Sequence, residues 1–146
     1  MTAIRTDSQR SRIRVLVVDD DPDTQMIIAK VLDHAGCEAQ VVSDGLAALA
    51  AIRSQKPDVV ILDFAMPMLS GPDVLAALKA ERETRDIPII GCTAAVAVTA
   101  DVPALLEQGF IEVLLKPVEP AAMLRAIERA CANRHLTKTA ELHEDR

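Results

Sequence analysis

The chain contains no tryptophan, no tyrosine and only two phenylalanines, Phe64 and Phe110, in 146 residues. Nucleic-acid binding by stacking bases on aromatic rings therefore has almost nothing to work with. Positive charge is also in deficit. The 16 Lys and Arg are outnumbered by 22 Asp and Glu, giving a formal net charge of −6, whereas phosphate-backbone binding needs clustered cations. The three cysteines, Cys37, Cys92 and Cys131, stand far apart with no C-x-x-C pair or Cys/His cluster, so neither a zinc site nor a disulfide framework is indicated. No apolar run reaches the roughly 18 residues of a membrane span, and no signal-peptide core follows Met1. The expectation is a soluble cytoplasmic protein that engages neither nucleic acid nor membrane. The basic start (Arg5, Arg10, Arg12 and Arg14) reads as a solvated tail.

Half of the residues are hydrophobic and 26% are charged, which excludes disorder for most of the chain. With so few aromatics, the core has to be built from Val, Ile, Leu, Ala and Met. Residues 13–18 form a β-branched run that stops abruptly at Asp19-Asp20-Asp21-Pro22, as a strand followed by a loop would. Asp21 suits a helix N-cap and Pro22 the first helical position, with Thr24, Ile27, Ile28, Val31 and Ala35 at helical spacing and Gly36 as the stop. The pattern recurs: strand 38–42, helix opened by Ser43-Asp44-Gly45, strand 59–62, helix opened by Gly71-Pro72, strand 87–90, helix 103–108, strand 111–115, and a last helix from Pro120. Apolar periodicity fades near Arg134. This predicts one domain over residues 13–134, with flexible tails at 1–12 and 135–146.

Five strands alternating with five helices predict an α/β fold, a parallel sheet covered by helices on both faces. In such sheets ligands bind outside the carboxyl ends of the strands, so the residues there are the ones to inspect. The first strand ends in Asp19-Asp20, the third in Asp63, the fourth in Thr93 and the fifth in Lys116-Pro117. Three gathered carboxylates repel one another unless a cation is present, and Mg²⁺, a hard cation that takes oxygen ligands and shares them with phosphate, suits them. Lys116 adds a compact positive charge and Thr93 a hydroxyl. The set is chemically fitted to phosphoryl transfer. Cys92 reads as a small core residue, and His34, His135 and His143 as surface groups.

These residues resemble the receiver domain of two-component response regulators. The resemblance rests on Val17-Val18-Asp19-Asp20, Pro57-Asp58 leading to Asp63, Met66-Pro67 with Gly71, Cys92-Thr93-Ala94 and Leu115-Lys116-Pro117, in that order over residues 13–134. It implies a flavodoxin-like five-stranded sheet of order 2-1-3-4-5 and a cis peptide at Lys116-Pro117. Asp63 would be the phosphoacceptor, charged by a histidine kinase or a histidine phosphotransfer protein. Asp19, Asp20, Asp63 and the backbone carbonyl of Ala65 would hold Mg²⁺. Thr93 and Lys116 would bond the phosphoryl group. Output would pass by protein contact through the face of the fourth helix, fifth strand and fifth helix, with room for homodimerisation there. The short stretch after the last helix suggests a stand-alone module that signals and is not an enzyme, beyond slow self-dephosphorylation.

Three positions depart from the family pattern. Val113, three residues before Lys116, stands where receivers usually carry an aromatic switch, and a β-branched side chain cannot sweep a comparable volume. That leaves the neighbouring Phe110, a backbone shift or weaker coupling to carry the signal. Ala65 and Ala95, two residues beyond Asp63 and Thr93, cannot orient a water for attack on the acyl phosphate. Three other functions compete. A degenerate receiver acting as a phosphorylation-independent scaffold is opposed by the complete Asp, Thr and Lys set. A phosphatase of the haloacid-dehalogenase type wants an acid/base Asp where Ala65 stands. A nucleotide- or flavin-binding domain is opposed by the lack of a Gly-rich loop after the first strand.

Overall fold

A computed structural model describes residues 12–94 and 102–144, with side chains as far as residue 132. Strands and helices alternate as β1 (Arg14–Val18), α1 (Pro22–His34), β2 (Glu38–Val42), α2 (Gly45–Gln55), β3 (Val59–Asp63), α3 (Gly71–Ala80), β4 (Ile89–Ala94), α4 (Val102–Gln108), β5 (Glu112–Lys116) and α5 (Pro120–Glu144). The strands pair in parallel in the order β2-β1-β3-β4-β5. Parallel neighbours require a crossover, and each crossover is a helix. The flavodoxin-like order 2-1-3-4-5 is therefore the one the resemblance implied. No helix among the described residues is long and apolar enough to cross a membrane.

Local chemistry starts and stops the helices. The Asp21 carboxylate caps α1 by accepting the Thr24 N–H, and the Asp44 carboxylate caps α2 by accepting the Ala47 N–H at 2.7 Å. Ser70 and Asp73 form a reciprocal capping box at the start of α3. Beyond α1, Gly36 turns the chain at φ +84°, a conformation that a Cβ disfavours.

Successive strand residues point to opposite faces, and the core divides accordingly. Val15, Val17, Val59, Ile61, Ile90 and Cys92 pack with Ile28 and Leu32 of α1 and with Met123, Ile127 and Cys131 of α5. Leu16, Val18, Val60, Leu62 and Ile89 pack with Leu49 and Ile52 of α2, with Val74, Leu75 and Leu78 of α3, and with Phe110. The central strands β1, β3 and β4 are thus buried on both sides, chiefly by aliphatic residues, as the near-absence of aromatics required. All three cysteines are buried.

The structure shifts the bounds of several elements. β4 begins at Ile89 instead of residue 87, because Pro88 has no N–H to give a ladder and contributes only its carbonyl, which accepts from Val60 at 3.0 Å. β5 is displaced by one residue and ends on Lys116 itself. α5 continues to Glu144 through residues assigned to the C-terminal tail. Periodicity reports which residues are buried, and the Ala, Leu, Lys and Glu of this segment favour a helix without it. Of residues 1–12, assigned as an N-terminal tail, only Arg12 is described, and its guanidinium donates to the carbonyls of Gly36 and Cys37.

Ile52 is wholly buried beneath α2, whereas Asp44 acts on the exposed start of the same helix. Ile52→Ala should cost about 2–5 kcal/mol and Asp44→Ala about 1 kcal/mol, measured by urea unfolding. The reverse order would contradict this division of the core.

Candidate functional site

Because the strands are parallel, their carboxyl ends share one edge, and the chemistry collects there. One carboxylate oxygen each from Asp19, Asp20 and Asp63 lies within 4.8 Å of the others. Asp19 follows β1 and Asp63 ends β3; both are buried, while Asp20 is exposed. Lys116, at the end of β5, reaches across: its Nζ is 2.8 Å from Asp19 Oδ2 and 3.1 Å from Asp63 Oδ2. The remaining oxygens are also engaged. Asp19 Oδ1 accepts the Asp21 N–H at 2.9 Å, and Asp63 Oδ1 accepts the Ala65 N–H at 3.3 Å.

Burial dominates the electrostatics. It pushes the Asp63 carboxyl upward, the Lys116 hydrogen bond opposes it, Asp19 adds to the rise, and the balance stays above the usual carboxylate range. Burial works against the Lys116 ammonium too, but hydrogen bonds to Asp19 and Asp63 outweigh it, and its pKa is raised. Cys92, the register neighbour of Asp63, is pushed up to about 12 by burial, so its thiol is an inert filler. Three carboxylates and one ammonium leave a formal charge of −2 at the edge. That charge and the all-oxygen donor set fit a divalent hard cation.

Four of the predicted residues, Asp19, Asp20, Asp63 and Lys116, are thus brought together. Thr93 is buried on β4, one residue beyond Cys92, with Leu115 beside it in register. Ala65 is exposed beside Asp63, and Ala95 lies outside the described residues. The bond between Lys116 and Pro117 is cis.

Sequence reasoning passed over Gln25. Its Nε2 donates to the Asp19 carbonyl at 2.5 Å and to Ser43 Oγ at 2.9 Å, with Val42 O at 3.3 Å. The amide ties the acidic loop to the end of β2. Its only signal in the sequence was a polar residue in the first turn of α1; the partners depend on β2 lying beside β1. Gly71 was noted as a helix start, but its main role is steric. A Cβ there would lie 2.5 Å from the Asp63 carbonyl oxygen and 2.9 Å from Phe64 Cα. Only glycine lets α3 begin this close to the end of β3.

Removing Lys116 leaves buried carboxylates uncompensated. In chelator, Lys116→Met should lose up to about 3–5 kcal/mol of stability, less whatever Asp63 recovers by taking up a proton. Saturating Mg²⁺ should then raise the thermal midpoint more in the variant than in the wild type. Equal responses to Mg²⁺ would refute the charge balance described here.

Comparisons with known proteins agree with this geometry. The family model described as "Response regulator receiver domain" matches residues 15–128. The DNA-binding response regulator MtrA of Mycolicibacterium smegmatis is 37% identical over 131 residues, which cover 90% of this chain and 55% of that protein. The chain spans about half the length of the MtrA relatives it matches. An uncharacterized 14.6 kDa protein of Leptolyngbya boryana is 31% identical over 83% of this chain and 92% of its own length. Among solved structures, the receiver domain of sensor histidine kinase PA1611 from Pseudomonas aeruginosa PAO1 has a magnesium ion in its active site cleft. It superposes with a TM-score of 0.75 at 29% identity, covering 84% of this chain and 99% of that one. The chemotaxis response regulator CheY4 of Vibrio cholerae gives 0.72 at 27% identity over 82% and 99%. Fold, acidic cluster and family match converge: this chain belongs to the response regulator receiver domain family.

Proposed function

We propose that Asp63 is the phosphoacceptor of this receiver and takes its phosphoryl group from the phosphohistidine of a kinase or a phosphotransfer protein. The observation that carries this reading is the Asp63 carboxylate, buried at a strand end, 3.1 Å from Lys116 and within 4.8 Å of Asp19 and Asp20. A carboxylate oxygen of Asp63 attacks phosphorus, a P–O bond forms, the P–N bond breaks, and the electron pair returns to the imidazole. Lys116 holds a positive charge where phosphoryl oxygens arrive, and the Thr93 hydroxyl donates to one of them. Asp19, Asp20, Asp63 and the Ala65 carbonyl would hold Mg²⁺, which when bound neutralises charge shared between carboxylate and phosphate.

The protein in this reading is a signalling module and not an enzyme, and its place is the cytoplasm, where ATP charges the kinase. Modification adds negative charge at the sheet edge and biases the α4–β5–α5 face between two states, which a target protein or a second copy then reads. The nucleic-acid contact in the name of the mycobacterial relatives is not proposed for this acidic chain. A dehalogenase-type phosphatase is disfavoured because the apolar Ala65 can neither give nor take a proton.

With Mg²⁺ and acetyl phosphate, the wild type should gain the mass of one phosphoryl group and Asp63→Asn should not. Equal labelling of the two, or none of the wild type, would reject the assignment. Once formed, the acyl phosphate should outlast that of a variant carrying polar residues at both Ala65 and Ala95, followed by loss of the added mass. A lifetime no longer than the variant's would show that these alanines do not slow hydrolysis.

A further inference from the structure

The two aromatic rings of the chain touch. Phe64 and Phe110 have centroids 4.8 Å apart and planes tilted by 41°. Phe64 is one peptide bond from Asp63, and its backbone is held on both sides: its N–H donates to Cys92 O at 2.9 Å, and its carbonyl accepts from the Gly71 N–H at 3.0 Å. Both rings rest on Gly91 of β4. A Cβ at that position would lie 2.3 Å from Phe64 Cε1 and 3.1 Å from Phe110 Cδ1, so the rings occupy the volume that any other residue would need.

Phe110 carries the contact onward. It is buried, its N–H donates to Leu105 O in α4 at 3.4 Å, and the next N–H, that of Ile111, donates to Ile89 O at 2.9 Å. One packed path thus joins the residue after the acceptor, the strand that carries Thr93, the last turn of α4 and the approach to β5. Val113 has no comparable reach: it is half-buried opposite Gly91 in register, and its β-branched side chain is stiff. Leu106 and Ile111, adjacent to the Leu105–Phe110 hydrogen bond, are exposed.

We propose that the Phe64–Phe110 pair, seated on Gly91, is the coupling element through which modification of Asp63 is read at α4 and the start of β5. The proposal rests on Asp63 being the acceptor. Phe64 moves with the Asp63 backbone, and Gly91 moves with the β4 end that Thr93 draws inward. Rings in contact with the glycine backbone have no slack to absorb either displacement, and close-packed interiors transmit such shifts. The surface that responds is the one carrying Leu106 and Ile111.

The test is hydrogen exchange read by mass spectrometry on the full chain, with and without acetyl phosphate and Mg²⁺. It compares wild type, Phe64→Leu, Phe110→Leu and Val113→Ala. In the wild type, exchange over residues 102–111 should change severalfold on phosphorylation. Both leucine variants should label Asp63 as the wild type does yet lose that change, while Val113→Ala keeps it. A change that survives in both leucine variants, or vanishes only in Val113→Ala, overturns the coupling. A labelled wild type with no change at 102–111 also overturns the coupling but leaves the phosphoacceptor reading intact. An unlabelled wild type overturns that reading and the coupling with it. If Phe110→Leu fails to fold, the half-buried Phe64→Leu decides the outcome by the same readout.

Discussion

Lys116 is the counterweight on which the site is built. Two buried carboxylates, Asp19 and Asp63, share its ammonium, and an exposed third, Asp20, lies close by. Without that charge the edge of the sheet would gather like charges in a poorly solvated place, at a cost in stability. With it, the repulsion is relieved and the cluster still keeps a formal charge of −2, which suits a divalent cation. In the proposed reaction the same ammonium would also meet the phosphoryl oxygens, so one group would serve both the resting protein and the chemistry.

That arrangement constrains the scaffold around it. Lys116 reaches Asp19 and Asp63 because β5, β4, β3 and β1 run in parallel and end on the same side. The acidic loop is fixed from behind by Gln25, which binds the Asp19 carbonyl and the β2–α2 junction together. α3 starts close to Asp63 only because Gly71 has no side chain. Beneath the edge, two aliphatic cores hold the strands from opposite faces. The two aromatic residues are placed beside Asp63, where their rings pack against each other and on Gly91.

Much of this was legible before any coordinates. The strands were visible as short apolar runs, and the caps Asp21 and Asp44 as acids just ahead of helical spacing. Asp63 and Lys116 stood out because each closes an apolar run. The late start of β4 was obscured by Pro88, whose neighbour Ile87 is buried and so looks like strand in the pattern. The length of α5 was obscured for the opposite reason: beyond Arg134 the helix continues without an apolar stripe, and periodicity registers burial alone. Gln25 was missed because its partners, Asp19 O and Ser43, are distant or inconspicuous in sequence.

The sequence by itself determined the alternation of strand and helix, the aliphatic character of the core and the residue types at each strand end, because these are local consequences of period and punctuation. It also supplied the family resemblance, through five short motifs in fixed order. Tertiary structure decided which ends meet. Strand order places Lys116 between Asp19 and Asp63, and the close approach of β3 and β4 at Gly91 brings Phe64 onto Phe110. Those contacts join residues tens of positions apart, and their geometry comes from packing, which no local pattern encodes.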